Sequence, residues 1–160
     1  MSKEAIVLAG GFGTRLQSVL SDMPKPMAPI GEVPFLEYLL DYLLSEGIEH
    51  VVLSVGYRYE TIMDYFGETY KGIKLCYAIE KTPLGTGGGI KASLSFCNSD
   101  QVFVINGDTY FDVNLSSLIK EHLANDNDIT LTIKPMKNFD RYGVVETDSN
   151  GQVLSLKKKQ

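Results

Sequence analysis

The chain has 160 residues, enough for one domain with one sizeable core. Apolar residues make up 44% and charged residues 22%, the balance of an ordinary folded protein rather than a disordered one. A formal net charge of −5 argues against general nucleic-acid binding, so cations that grip an anion must be a local feature.

In chain order, the apolar run Ala5-Ile6-Val7-Leu8-Ala9 reads as a buried strand that stops at a glycine-rich turn. Residues 16–20 are expected to make a short helical turn, and Pro24, Pro26 and Pro29 then forbid a long helix. Phe35, Leu36, Leu39, Leu40 and Leu43 repeat at helical spacing, which predicts a helix over 35–46 with Gly47 as its C-terminal cap. A strand over 51–55, a helix over 59–66 and a strand over 73–79 follow. A helix around 88–96 leads to a strand over 102–105. Asn114 is placed to cap a helix whose inner stripe is Leu115, Leu118, Ile119 and Leu123. Residues 129–133 and 142–147 read as strands, and Asn150-Gly151 as a hairpin turn into a strand over 153–156. The alternation predicts an α/β fold, a mixed and mostly parallel sheet with helices on both faces, in a single domain over 1–160. Ligands bind such folds just beyond strand ends. Cys76 and Cys97 fit no metal spacing and read as reduced thiols. No apolar run reaches membrane-spanning length and the first strand begins almost at once, so a cytoplasmic protein with no signal peptide and no membrane partner is expected.

Chemistry concentrates beyond the first strand. Gly10, Gly11 and Gly13 let backbone N–H groups approach a phosphate chain without a Cβ in the way. Thr14 adds a hydroxyl, and Arg15 a planar charged fork suited to phosphate oxygens. Lys25 is held between two prolines that restrict its backbone. A dinucleotide fingerprint is excluded because Leu16 stands where its third glycine belongs, and no Walker loop spacing occurs. A second glycine cluster, Glu80 to Gly89, follows another strand. In the third cluster, Asn106-Gly107-Asp108, the apolar strand over 102–105 pushes Asp108 out at its end. One carboxylate plus substrate phosphates is the usual way Mg²⁺ is held, although an Asp in a turn also serves as a local hydrogen-bonding device. Beside the other clusters the metal reading is the stronger.

GGFGTRL followed by PKP, then PLGTGG, NGD and RYGVVE, resembles the signature of the sugar-1-phosphate nucleotidyltransferases over nearly the whole chain. Within that family the sequence is most similar to the bacterial D-glycero-D-manno-heptose 1-phosphate guanylyltransferases. The resemblance implies a Rossmann-like three-layer α/β/α fold. It implies nucleotide binding by Leu8, Ala9, Gly10, Gly11, Gly13, Thr14, Arg15, Glu80, Gly85 and Thr86, and sugar-phosphate binding by Asn106, Gly107, Gly143 and Lys159. Arg15, Lys25 and Asp108 would carry catalysis, with Asp108 as ligand to Mg²⁺. In the family a polar residue five before the loop glycine reads the base, and Glu80 stands there relative to Gly85. A carboxylate only accepts hydrogen bonds, which suits the adjacent N1–H and N2–H donors of guanine better than uracil. The plainer reading of Glu80 is a solvated charge at a strand end.

The expected reaction joins a nucleoside triphosphate, GTP favoured, to a sugar 1-phosphate for cell-surface polysaccharide synthesis. Mannose 1-phosphate with GTP and N-acetylmuramic acid 1-phosphate with UTP are the alternative substrate pairs, and a homo-oligomer is left open. A nucleotide-binding module without turnover is the alternative of another class. Relatives continue beyond the position of Gln160, where a second metal-binding Asp is expected, and Lys158 stands where the family has an acid. Glu146 is expected to face outward or position a neighbour, and His50 and His122 read as ordinary surface or helix residues outside these clusters.

Overall fold

The computed structural model describes residues 3–11, 23–137 and 143–157. It opens with β1 (Glu4–Leu8), and a single 3-10 turn (Lys25–Met27) precedes the short hairpin β2 (Pro29–Ile30) and β3 (Val33–Pro34). The chain continues through α1 (Phe35–Ser45), β4 (His50–Val55), α2 (Tyr59–Phe66), β5 (Thr69–Tyr70) and β6 (Ile73–Ile79). Then come α3 (Gly85–Leu94), β7 (Phe103–Asn106), α4 (Leu115–Ala124), β8 (Val144–Thr147) and β9 (Val153–Lys157). Contacts divide the chain into two compact units, Met1–Ile119 and Lys120–Gln160.

The first unit is built on a five-stranded sheet of order β5-β6-β4-β1-β7, parallel except for the β5 edge. β1 lies between β4 and β7, Ile6 opposite Val52 on one side and Val104 on the other. Every residue of β4 is buried, as befits a central parallel strand covered on both faces. One face packs Ala5, Val7, Val51, Leu53 and Val55 against Leu36, Leu39, Leu40 and Leu43 of α1, with Ile62 and Phe66 of α2 and Leu115 and Ile119 of α4. The α1 leucines recur every three or four residues and so form one stripe; burying each contributes about 1.5–3 kcal/mol. The other face sets Ile6, Val52 and Ala78 beneath Ile90 of α3. Helices thus cover both faces, giving the three-layer α/β/α arrangement expected from the sequence.

Four details differ from the sequence expectations. The helix expected near 88 begins at Gly85, so all four glycines of the second cluster lie in helix rather than in a loop. His50 is a buried residue of β4, not a surface or helix residue. Leu123 is 55% exposed and leaves the inner stripe to Leu115, Leu118 and Ile119. Residues 129–133 form no strand: an extended segment becomes one only where a neighbouring backbone supplies the ladder, and no described strand pairs with them. The helical turn expected over 16–20 lies outside the described residues. Asn114 caps α4 as expected, its Oδ1 accepting the Ser117 N–H at 2.7 Å.

In the second unit, β8 and β9 pair antiparallel, with Val144 opposite Lys157. Asp148 organises their turn, its Oδ1 accepting the N–H groups of Asn150 (2.9 Å) and Gln152 (2.8 Å). Glu146 bonds the Ser155 hydroxyl at 2.7 Å and pairs with Lys157, so it faces outward and positions its neighbours. Among the described residues, no helix is long and apolar enough to cross a membrane.

Candidate active site

The four parallel strands β1, β4, β6 and β7 all deliver their C-terminal ends to one edge of the sheet. Backbone bonds knit those ends together: the Ala9 N–H donates to Ser54 O (2.8 Å), the Glu80 N–H to Val55 O (2.7 Å) and the Gly107 N–H to Leu8 O (2.9 Å). The segments leaving the strands diverge above this edge and open a cleft of about 360 Å³. Its walls include Leu8, Ala9, Gly10, Gly11, Lys25, Pro26, Glu80, Pro83, Gly85, Thr86, Asn106 and Asp108. This is the crevice beyond the carboxyl ends of the strands where open α/β sheets bind ligands. A larger open groove of about 570 Å³ beside α1 is lined by Ile30, Phe35, Tyr38, Asp41, Tyr42, Ser45 and Tyr110, with no Lys or Arg among these described lining residues.

Residues from three sequence clusters therefore meet in one place. Lys25 begins the 3-10 turn, which is closed by the Met27 N–H to Pro24 O (2.8 Å) and the Ala28 N–H to Lys25 O (3.0 Å). Pro24 and Pro26 are buried, so the backbone beneath Lys25 is anchored while its ammonium reaches into the cleft. That ammonium lies 3.4 Å from Asp108 Oδ2, with the Lys25 side chain 29% and the Asp108 side chain 50% exposed. Asp108 Oδ1 also accepts the Thr109 hydroxyl at 3.3 Å. A cation and a carboxylate this open to solvent are loosely paired, free to exchange one another for a phosphate and a metal ion.

Behind the site, Tyr42 of α1 bonds Val113: its hydroxyl donates to the carbonyl at 2.5 Å and accepts the N–H at 3.3 Å. Glu46 Oε2 takes the Leu115 N–H at 2.7 Å. These bonds tie the segment that follows Asp108 to the end of α1.

Glu80 is held more tightly. Its Oε1 accepts the Ser54 hydroxyl at 2.7 Å, and its Oε2 the Leu84 N–H at 3.1 Å. The carboxylate sits so close to two backbones that a Cβ at Gly10 would stand 2.9 Å from Oε1, and one at Gly89 would stand 2.8 Å from it. The first glycine turn and α3 therefore close onto the same carboxylate. Glu80 thus lines the cleft wall with its carboxylate, an acceptor-only group, held in place by these two bonds.

Ser54 is the residue that sequence reasoning missed. Fully buried in β4, it reads in the sequence as one small residue within VVLSV. Only the β4–β6 register, which sets Ser54 opposite Ala78, brings its hydroxyl to Glu80. Gly107 is buried behind the end of β1 rather than among the cleft-lining residues. Gly143 immediately precedes β8 in the second unit. Gly13, Thr14, Arg15 and Lys159 lie outside the described residues. Among the described residues no group of three or more His, Cys, Asp or Glu side chains is arranged to hold a metal, so Asp108 would rely on substrate phosphates and water for the remaining ligands.

A family profile described as Nucleotidyl transferase matches residues 4–159. The chain belongs to the nucleotidyl transferase family. Among its relatives in that family are the D-glycero-alpha-D-manno-heptose 1-phosphate guanylyltransferases of Campylobacter jejuni and Aneurinibacillus thermoaerophilus. Each is 49% identical over 98% of this chain, which spans 68% and 67% of their respective lengths. The crystal structure of HddC from Yersinia pseudotuberculosis complexed with GMP-PN superimposes with a TM-score of 0.86 at 36% identity, covering 98% of this chain and 69% of that one.

Proposed function

We propose that the chain is a D-glycero-D-manno-heptose 1-phosphate guanylyltransferase, using GTP and releasing GDP-heptose and pyrophosphate. The observation that carries this reading is the meeting of Lys25, Asp108 and a doubly bonded Glu80 around one cleft at the strand ends, in a chain 49% identical to two guanylyltransferases of that name. A sugar 1-phosphate oxygen attacks the α-phosphorus of GTP in line, and pyrophosphate departs. Such a transfer needs positioning and charge neutralisation rather than a protein nucleophile.

Each residue's part follows from its place. Gly10 and Gly11 line the cleft, where their backbone N–H groups would bond the phosphates and the Glu80 carboxylate would accept the guanine N1–H and N2–H. Lys25 leaves Asp108 to neutralise the α-phosphoryl oxygens and the incoming phosphate. Arg15, by its place in the motif, neutralises the departing pyrophosphate. Asp108, with the substrate phosphates, would hold Mg²⁺, which supplies further neutralisation of phosphate charge when bound.

The test is thermal stability in the presence of GTP, UTP, CTP, ATP or dTTP, each with Mg²⁺. Selective stabilisation by GTP is the expected result. A shift with UTP alone overturns the base assignment, and no shift with any nucleotide overturns the reading altogether.

A further inference from the structure

The opposite edge of the sheet carries a second chemical cluster that nucleotidyl transfer does not use. Glu4 begins β1 directly opposite His50, which begins β4, and Cys76 lies on the neighbouring β6. Glu4 is 6% and His50 8% exposed, while Cys76 keeps partial access to solvent. Glu4 Oε1 lies 2.7 Å from His50 Nδ1, and His50 Nε2 lies 3.3 Å from Cys76 Sγ. The carboxylate also accepts the N–H groups of Asn98 (3.0 Å) and Ser99 (2.6 Å). Burial works to raise the Glu4 pKa, but bonds from Ser99, His50 and Asn98 outweigh it and hold the group at about 2.

The contact with Glu4 fixes the proton on one ring nitrogen. An ionised carboxylate can only accept, so the proton it receives from the imidazole is on Nδ1. In a neutral ring Nε2 is then an acceptor, and the one hydrogen that can lie between it and Sγ belongs to the thiol. A thiol bonded to a base that a third group orients is the arrangement of an activated nucleophile. Cys97 provides the contrast within the same molecule. Its thiol faces the Ser93 carbonyl at 3.7 Å, and burial, then the Glu4 and Cys76 charges, push its pKa up.

We infer that Cys76 is an activated thiol, a site for covalent modification by small-molecule disulfides and soft electrophiles. With a disulfide, His50 Nε2 takes the Sγ proton and the thiolate attacks one sulfur. A mixed disulfide forms on Cys76 as the S–S bond of the reagent breaks. The expelled thiolate recovers the proton from the imidazolium, so the reagent disulfide supplies all the oxidising equivalents. Glu4 is a positioning residue: it holds the ring and stabilises the transient imidazolium.

The experiment uses the full chain at neutral pH with limiting iodoacetamide, reading each cysteine by peptide mass spectrometry in the folded protein and in denaturant. Folded Cys76 should react several-fold faster than the same cysteine in the unfolded chain, and at least about tenfold faster than folded Cys97. A folded rate at or below the unfolded one overturns the inference, because a merely accessible thiol is never accelerated by folding. H50Q should slow Cys76 at least about tenfold while the Cys97 rate, an internal monitor of packing, stays constant. An unchanged Cys76 rate in H50Q also overturns it.

Discussion

Replacing Gly89 with Ala separates the seat of Glu80 from the stability of the fold. The new Cβ would stand 2.8 Å from Glu80 Oε1 and 3.0 Å from Ser54 Oγ, well inside ordinary contact. The nearer atom is the end of a flexible side chain, so the carboxylate swings into the cleft rather than the helix moving. The charge-assisted bond from Ser54, worth about 1.5–3 kcal/mol, is lost. Offsetting this, alanine within α3 gains about 0.5–1 kcal/mol over glycine, and the displaced carboxylate regains water. The net change in stability is therefore small, about 1–2 kcal/mol, a thermal midpoint shift of a few degrees. Base recognition suffers more. If Glu80 reads the base as proposed, its acceptors lose their alignment with guanine N1–H and N2–H, and about 1.4 kcal/mol is a factor of ten. Titrations of GTP and ITP, which lacks the 2-amino donor, read this directly. Wild type should prefer GTP, and G89A should reduce that preference about tenfold or more while remaining folded. An unchanged GTP-to-ITP ratio in folded G89A would refute the assignment of Glu80 to the base.

Lys25→Ala should lower turnover by about 10²–10³-fold, yet change unfolding free energy by no more than about 1 kcal/mol, because its pair with Asp108 is exposed. Turnover and urea denaturation measured together check both halves. Tyr42→Phe should cost about 1–2 kcal/mol by removing the hydroxyl that bonds Val113, seen as a lower urea midpoint. Glu4 has a folded pKa held below its ordinary value of 4.5, so the stability it contributes is complete above that pH and is lost as pH falls towards about 2. Across that acid window wild type should lose stability more steeply than E4Q, which starts lower at neutral pH; parallel profiles would contradict this role.

The sheet and its first helix were readable from pattern alone. β1 and β4 are apolar runs too short for helices, and the leucines of α1 recur at helical period up to Gly47. The cleft residues were readable because glycine turns, Lys25 and Asp108 each follow a strand or a proline clamp. What pattern could not supply was tertiary placement. Gly85 and Gly87 signal a loop by propensity, yet they begin α3, and further along it Gly89 closes on Ser54 and Glu80. Ser54 and His50 look unremarkable in one dimension, since their partners, Glu80 and Glu4, lie 26 and 46 residues away. The alternation Ile-Thr-Leu-Thr-Ile over 129–133 is a strong local strand signal, but local preference cannot create a ladder partner.

The most direct test of guanylyl transfer is pyrophosphate release from GTP on adding D-glycero-α-D-manno-heptose 1-phosphate with Mg²⁺, in wild type and in D108N. Release by wild type that requires both the sugar phosphate and Mg²⁺, and falls at least about a hundredfold in folded D108N, is the predicted result. Release that D108N sustains at the wild-type rate, or GTP binding by wild type with no release, would contradict it.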